Sequence, residues 1–470
     1  MRIADCVVNA DVRILQAIAR RHQLHCPLYS KHELIQAILY AFQSPTFVET
    51  KLRESKQWEH PAWMRIAFSP NIKFPSEEVY ALFQVQGFRD VAFQEVLSEG
   101  WIYPVCGRFG ETFFAIPSEL QMPMRHAIVD FLRSKLSYRE DDPPVFHEEE
   151  LCIIRDLSVF LAYVRNHEVL LTTTGSMYKR SVLKLLELFE IAEDLPEETW
   201  RFGYGRRFHD YPDRLALIYD FAYHHGLIVE ENGGKLCTTS AADAWESIPP
   251  KERQRRIFQF YIRVYRRPLP RLPLIVKVLI DVAETWVASD TVLDALRPYV
   301  QSFHYDTVED VWERRIVKML RHLGVLRVAE KSSNDYAAQW FQISKLGLQL
   351  LLGDAALADD TERGDRILLV QPNFEILVTA ANHPFMVELG RFTELKESGS
   401  LSTFRMTENR VRESLEQGHD LLRWMDQLAS FSNNALPGNV ESMLKYWARL
   451  YGSTATEERS DIETSPAETQ

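Results

Sequence analysis

Apolar positions along this chain follow two periods, and the change between them marks out its elements. Ile367-Leu368-Leu369-Val370 and Phe374-Glu375-Ile376-Leu377-Val378 are short apolar runs split by Gln371-Pro372-Asn373. Such runs around a Pro-Asn break predict paired strands. Three amphipathic stretches come next: Thr407 to Gln417, stopped by Gly418 at a C-cap position; Asp420 to Ser430; and a third between Leu436-Pro437-Gly438 and Tyr451-Gly452. Each predicts a helix. The first seventy residues are mostly helical by period. Ser176 reads as the N-cap of a helix from Met177 to Phe189.

The body of the chain repeats one order of elements three times. Between Asp90 and Leu120 an apolar helix leads to Gly100-Trp101-Ile102-Tyr103, a turn at Gly107 to Gly110, and Thr112 to Pro117. Between Arg214 and Trp245 a helix leads to Gly226-Leu227-Ile228-Val229, a turn at Asn232-Gly233-Gly234, and Lys235 to Thr239. Between Val308 and Leu352 a helix leads to Gly324 to Val328, a polar turn near Ser332 to Asp335, Gln339 to Ser344, and a last helix. Helix, capping glycine, strand, turn, strand is the winged-helix order. The interval is irregular, so these are tandem domains rather than a solenoid. The predicted fold class is helix-rich α+β: tandem winged-helix domains followed by a small α/β domain.

Shifts in composition set the predicted boundaries: a helical region over 1–74, winged-helix-like units at 75–136, 148–271 and 272–352, and an α/β domain at 366–452. Ser137 to His147 is charged and doubly proline-stopped, so it reads as a linker. Leu195 to Asp213 reads as a surface loop, 353–365 as an acidic joint, and 453–470 as a disordered acidic tail.

The segment Arg366 to Gly452 resembles the N-terminal domain of the XPB helicase family. The likeness is carried by Thr403-Phe404-Arg405-Met406-Thr407, Val411, Leu415, Gln417-Gly418, Met425, Leu428, Ser430, Leu436-Pro437 and Tyr451-Gly452. In a helicase of that family the ATPase would begin downstream; here eighteen residues remain, Ser453 to Gln470. A phosphate loop needs Gly-x-x-x-x-Gly-Lys-Ser/Thr. Gly234-Lys235 is followed by Leu236 and preceded at the first position by Val229, so the pattern is absent. The expectation is a helicase accessory domain without its motor. The domain order also resembles that of the eukaryotic transcription and repair factor subunit that clasps XPB through a like-folded domain. That resemblance implies docking on an XPB-like helicase or like-folded protein, with Phe374, Glu375, Phe404 and Arg405 as candidate docking residues and the two strands offering an edge or a face.

Composition narrows the remaining options. The chain has 470 residues, 46% hydrophobic and 26% charged, which is ordinary for globular protein. Its 54 Lys and Arg against 66 Asp and Glu give a net charge of −12. That argues against a surface coated in nucleic acid but allows a local basic face. Cys6, Cys26, Cys106, Cys152 and Cys237 are odd in number and scattered, as reduced cytoplasmic thiols are. The most apolar stretch, Leu272 to Ala288, is broken by Lys277, Asp281 and Glu284, so no membrane span is expected.

Catalytic and metal patterns fail on spacing. His32-Glu33-Leu34-Ile35-Gln36 lacks the second His of a zinc protease. His22, His25 and Cys26 lack a partnered cluster, and Gly203-Tyr204-Gly205 lacks a third glycine where Phe208 stands. Asp141-Asp142 and Asp359-Asp360 read as solvated charge. No cofactor and no enzymatic activity are expected.

Two basic stretches remain. In the third unit, Val308, Trp312, Ile316, Met319 and Leu323 predict a buried stripe. Arg314, Lys318 and Arg321 then fall opposite it with Arg315 on the flank, the face a winged helix presents to DNA or to a protein. Lys251 to Lys277 interleaves Arg263, Arg266, Arg267 and six other cations with Phe258, Phe260, Tyr261 and Tyr265, which suits either nucleic acid or a core helix with solvated arginines. The functional expectation is a scaffold that docks an XPB-like helicase, with duplex DNA as a second partner through these faces, in repair or transcription. A stand-alone winged-helix transcription regulator is the alternative.

Overall fold

The first helices form where side-chain caps meet apolar stripes. Asp11, Ser30 and Ser44 each accept from a backbone N–H of the next helix, Val12–Arg21, Lys31–Phe42 and Pro45–Glu54 respectively. Leu15, Ile18, Leu34, Ile38, Val48 and Leu52 form their buried sides. A computed structural model describes the chain except residues 85–92, 108–110, 197–209, 232, 330–338, 353–367, 379–384, 398–401, 418 and 453–470. The turn tips near Gly110, Asn232 and Ser332, the Gly203 loop, the acidic joint, Gly418 and the acidic tail lie wholly or mainly outside the described residues.

The chain divides into two compact units. The first comprises Met1–Phe146, Arg271–Gln301 and Val328–Ile343. In it Thr112–Ala115 lies between the strands Lys73–Pro75 and Tyr103–Cys106, both antiparallel to it. His22 is buried among Phe42, Phe47 and Trp101, its Nε2 2.9 Å from the Glu99 carbonyl. The stretch 137–147 is not a plain linker. Tyr138–Arg139 pairs with the strand Trp286–Ala288, and the Trp286 indole donates to Asp142 at 2.7 Å. The prolines at 143 and 144 stop the pairing only after the backbone of Tyr138 and Arg139 has found an open strand edge.

The second unit comprises His147–Pro270, Ser302–Arg327 and Ser344–Gln470. Helices Cys152–Asn166, Lys179–Leu188, Asp213–His224 and Pro250–Val264 accompany a sheet in which Lys235–Thr238 lies between Val169–Leu170 and Ile228–Glu231. The helix expected from Met177 begins at Lys179, and Ser176 does not cap it. Its hydroxyl bonds to Asp210 at 2.5 Å, while its carbonyl accepts from Thr172 N–H in a tight turn. A Ser whose oxygen has a stronger local partner is lost to capping.

The chain is a helix-rich α+β protein with several small sheets. Helix, glycine, strand, strand, helix recurs three times in it, and Gly100, Gly226 and Gly324 all have left-handed φ, at 73°, 65° and 66°.

The C-terminal part builds its own core. Leu368–Val370, Glu375–Val378, Ser402–Met406 and Thr393–Glu397 form an antiparallel sheet in that order. Leu368, Val370, Ile376, Val378, Phe404 and Met406 face inward onto Leu389, Val411, Trp424, Leu428, Leu444 and Trp447 from the helices Phe385–Phe392, Glu408–Glu416, Leu421–Phe431 and Gly438–Gly452. The first strand pair and the last three helices fall where period predicted them. The helix Phe385–Phe392 and the strands Thr393–Glu397 and Ser402–Met406 went unread, because each is short and Ser402–Met406 carries few of the bulky apolar residues that mark a strand.

Candidate functional site

The helix through Val308–Asp310, Val311–Val317 and Lys318–His322 widens to π geometry over its middle seven residues. Trp312, Ile316, Met319 and Leu323 are buried as expected, with Val308 half-exposed. The cations are not the open face the 3.6 period projects. Carboxylates from distant segments reach that face. Arg315 is 1% exposed and paired to Asp306 at 2.8 Å and Asp213 at 3.2 Å. Lys318 reaches Asp213 at 2.9 Å and Glu193 at 3.2 Å, and Arg321 reaches Glu149 at 2.9 Å. Arg314 is half-exposed and lies 3.7 Å from Asp310. The four surround a polar cavity of about 490 Å³ that Glu193, Asp194 and Asp213 also line.

A buried network lies beneath that cavity, and sequence reading missed it. Arg214, fully buried, donates through Nε to Asp156 and through Nη1 to Glu149, both at 2.6 Å. His322 Nδ1 lies 2.9 Å from Glu149 and its Nε2 3.4 Å from Glu193. Burial pushes the Glu149 carboxyl up, but His322, Arg214 and Arg321 overcome this and hold it at about 2. Glu193 is likewise pushed up by burial and brought to about 2 by His322, Lys318 and Arg214. Asp156 goes the other way, because burial outweighs Arg214 there. Arg214 sits on a predicted helix, but an isolated charge on an apolar face was the only signal, and the helix that carries Asp156 was not predicted.

The helix Pro250–Val264 separates the two readings of its arginine-aromatic pattern. Phe258, Phe260, Tyr261 and Tyr265 are core, and Tyr261 donates to the Arg315 carbonyl at 2.7 Å. Arg253 is buried, and Arg255 and Arg256 pair with Glu252 at 2.6 and 2.8 Å. Arg263, Arg266 and Arg267 are exposed, and none forms an ion pair with a described residue. Arg263 lies over the Phe260 ring at 5.5 Å, beside His224 and His225, whose rings are 5.4 and 5.5 Å from the same phenyl. The structure thus brings together Arg263, Arg266 and Arg267 as an exposed cationic surface, whereas Arg315, Lys318 and Arg321 are held by carboxylates. The two histidines were not singled out from sequence, though His224-His225 at a helix end is a visible doublet.

On the C-terminal sheet the predicted docking residues separate by face. Phe404 is 9% exposed and belongs to the core, so it is not available to a partner. Strand alternation turns Arg405 outward, opposite Glu375 on one side and Glu394 on the other. Glu375 pairs with Lys396 at 2.5 Å, and that lysine's donation lowers its pKa. Phe374 holds a left-handed φ of 67° and lies 5.9 Å from the Trp447 ring. Leu369 is 41% exposed, and half-buried Leu377 lies directly across from it. The outer edge of Leu368–Val370 is closed by its own chain: Asn433 N–H donates to the Leu368 carbonyl at 2.7 Å, and the Asn434 side chain bonds both polar groups of Val370. That edge cannot take a partner strand, and the outward face of the sheet remains.

The comparisons with known proteins bear on this same region. No curated protein matches the chain. No helix among the described residues is long and apolar enough to cross a membrane. The family model of the helicase conserved C-terminal domain matches residues 368–467, which marks the C-terminal region of the chain as helicase-associated.

Proposed function

We propose that this protein is a non-catalytic scaffold whose C-terminal α/β module docks an XPB-like helicase or a like-folded partner, serving DNA repair or transcription. The observation that carries the reading is the helicase-family match over 368–467, which falls on a module with its own core and an outward sheet face. In this reading Leu369, Leu377, Glu375 and Arg405 form the docking face, and the three helix-strand-strand units act as winged helices. The sequence has no phosphate loop, so nothing recognisable in it would hold a nucleotide γ-phosphate. Nucleic acid is a second partner, met at its phosphates by Arg263, Arg266 and Arg267 against an acidic whole. Capture of an XPB-like helicase by the full chain, compared with a chain ending at Gly353, tests the reading. Loss of capture in the shorter chain supports it, and equal capture by both removes the C-terminal module from docking.

A further inference from the structure

We propose that His224 and His225 belong to the phosphate-contacting surface of Arg256, Arg263, Arg266 and Arg267, and that they make its hold on a nucleic-acid backbone proton-coupled. The inference rests on the nucleic-acid part of the function proposed above.

The geometry fixes what each histidine can offer. His225 stacks on Phe221 with ring centroids 4.1 Å apart, and its Nδ1 lies 3.0 Å from the Phe221 carbonyl. A carbonyl only accepts, so Nδ1 carries the hydrogen and the neutral ring leaves Nε2 as a bare acceptor. A bare acceptor repels phosphate oxygen; a protonated Nε2 donates to it. The His224 ring lies 5.5 Å from that of His225, and both flank Phe260, over which Arg263 lies. Arg256 sits two turns before Arg263 on the same side of the helix Pro250–Val264.

The charges facing His225 are those of His224, Arg263 and Arg256; the acidic group nearby is Glu252, which holds Arg256. Burial, then these cations, lower the His225 pKa against the upward pull of the Phe221 carbonyl. A phosphate laid across the surface reverses the balance, since it neutralises the arginines and accepts from the ring. The bound ring therefore holds its proton to higher pH than the free one, and affinity rises as pH falls. The Glu149 and Glu193 carboxyls, at about 2, do not titrate in that range.

The test is fluorescence anisotropy of the full chain with a labelled DNA duplex, at constant ionic strength, between pH 7.5 and pH 5.5. One proton taken up on binding is worth up to about tenfold in affinity per pH unit, so a gain of about fivefold or more is expected over the range. His224→Gln with His225→Gln should remove most of that gain, so that affinity falls further at pH 5.5 than at pH 7.5. Arg256→Gln with Arg263→Gln and Arg267→Gln should weaken binding at both pH values. An unchanged pH dependence in the double histidine variant overturns the inference while the nucleic-acid reading stands. Absence of DNA binding by the wild-type chain at both pH values overturns the two together. Thermal melts of the variants check that these exposed changes leave the fold intact.

Discussion

Gly226 and Gly324 have nearly the same backbone conformation, φ 65° and 66°, in different surroundings. A Cβ on Gly226 meets nothing within 4 Å, whereas one on Gly324 would lie 2.1 Å from the Glu150 carbonyl oxygen. Gly226→Ala therefore carries only the strain of alanine in the left-handed region, about 1–2 kcal/mol. Gly324→Ala carries the same strain and must also move the backbone at Glu150, a residue already at φ 40°. A shift of an ångström there displaces Glu149, whose bonds to Arg214 and His322 span 2.6 and 2.9 Å, out of hydrogen-bond range. Hydrogen bonds to charged groups are worth about 1.5–3 kcal/mol each, so the total should reach about 4 kcal/mol or more. Native-state hydrogen exchange by mass spectrometry reads this locally, which suits a chain of two units where one unfolding free energy is not defined. At about 1.4 kcal/mol per tenfold, Gly324→Ala should speed exchange across residues 152–166 and 311–323 roughly a thousandfold. Gly226→Ala should speed exchange across residues 213–231 by only about tenfold. Equal effects from the two substitutions would refute the reasoning, because only their surroundings differ.

Three further outcomes are set by the charges of the second unit. Glu149 and Glu193 are lowered from 4.5 to about 2, so their stabilisation is present above about pH 4.5 and is lost as pH falls toward 2; fluorescence-monitored acid unfolding should show it, and a flat profile from pH 5 to 2.5 would contradict it. Arg214→Met leaves Asp156 buried without its cation and removes one of the cations around Glu149; it should cost about 3–5 kcal/mol, read by hydrogen exchange across residues 152–166 and 213–224, with Asp156→Asn in the same chain restoring part of the loss. Neutralising Arg263, Arg266 and Arg267 should flatten the salt dependence of DNA binding by about three in log-log slope, whereas neutralising Arg314, Lys318 and Arg321 should change it less and destabilise the fold more; the opposite ranking would place the contact on the carboxylate-held helix.

Periodicity accounts for most of what was legible in the sequence. The strand pair around Gln371-Pro372-Asn373 and the helices after Thr407 lie where apolar spacing put them, because each buries a regular stripe. Ser402–Met406 escaped notice because its inward residues are Ser402, Phe404 and Met406, too mixed to read as a run. The ranking of cationic faces reversed for a different reason. Arg314 to Arg321 project to one face of the helix, and nothing in the sequence announces that Asp213, Glu193 and Glu149 arrive there from distant segments. Pairing between residues a hundred positions apart is set by tertiary packing, to which local spacing is blind. The same blindness placed Phe404 among docking residues, although the alternation Phe404-Arg405-Met406 already implied that Arg405 alone of the three faces out.

Docking of a helicase on the outward face of the C-terminal sheet is a proposal open to direct measurement. Sedimentation of the full chain mixed with an XPB-like helicase, beside a full-length variant carrying Leu369→Asp and Arg405→Glu, measures that directly. Both residues are exposed, so the variant should remain folded. A stable contact needs about 800 Å² from each partner, and reversing one charge and planting another at its centre should abolish the complex. Co-sedimentation of the wild-type chain with the helicase, and none of the variant, is the expected result. Equal co-sedimentation of both, or of neither, would contradict it.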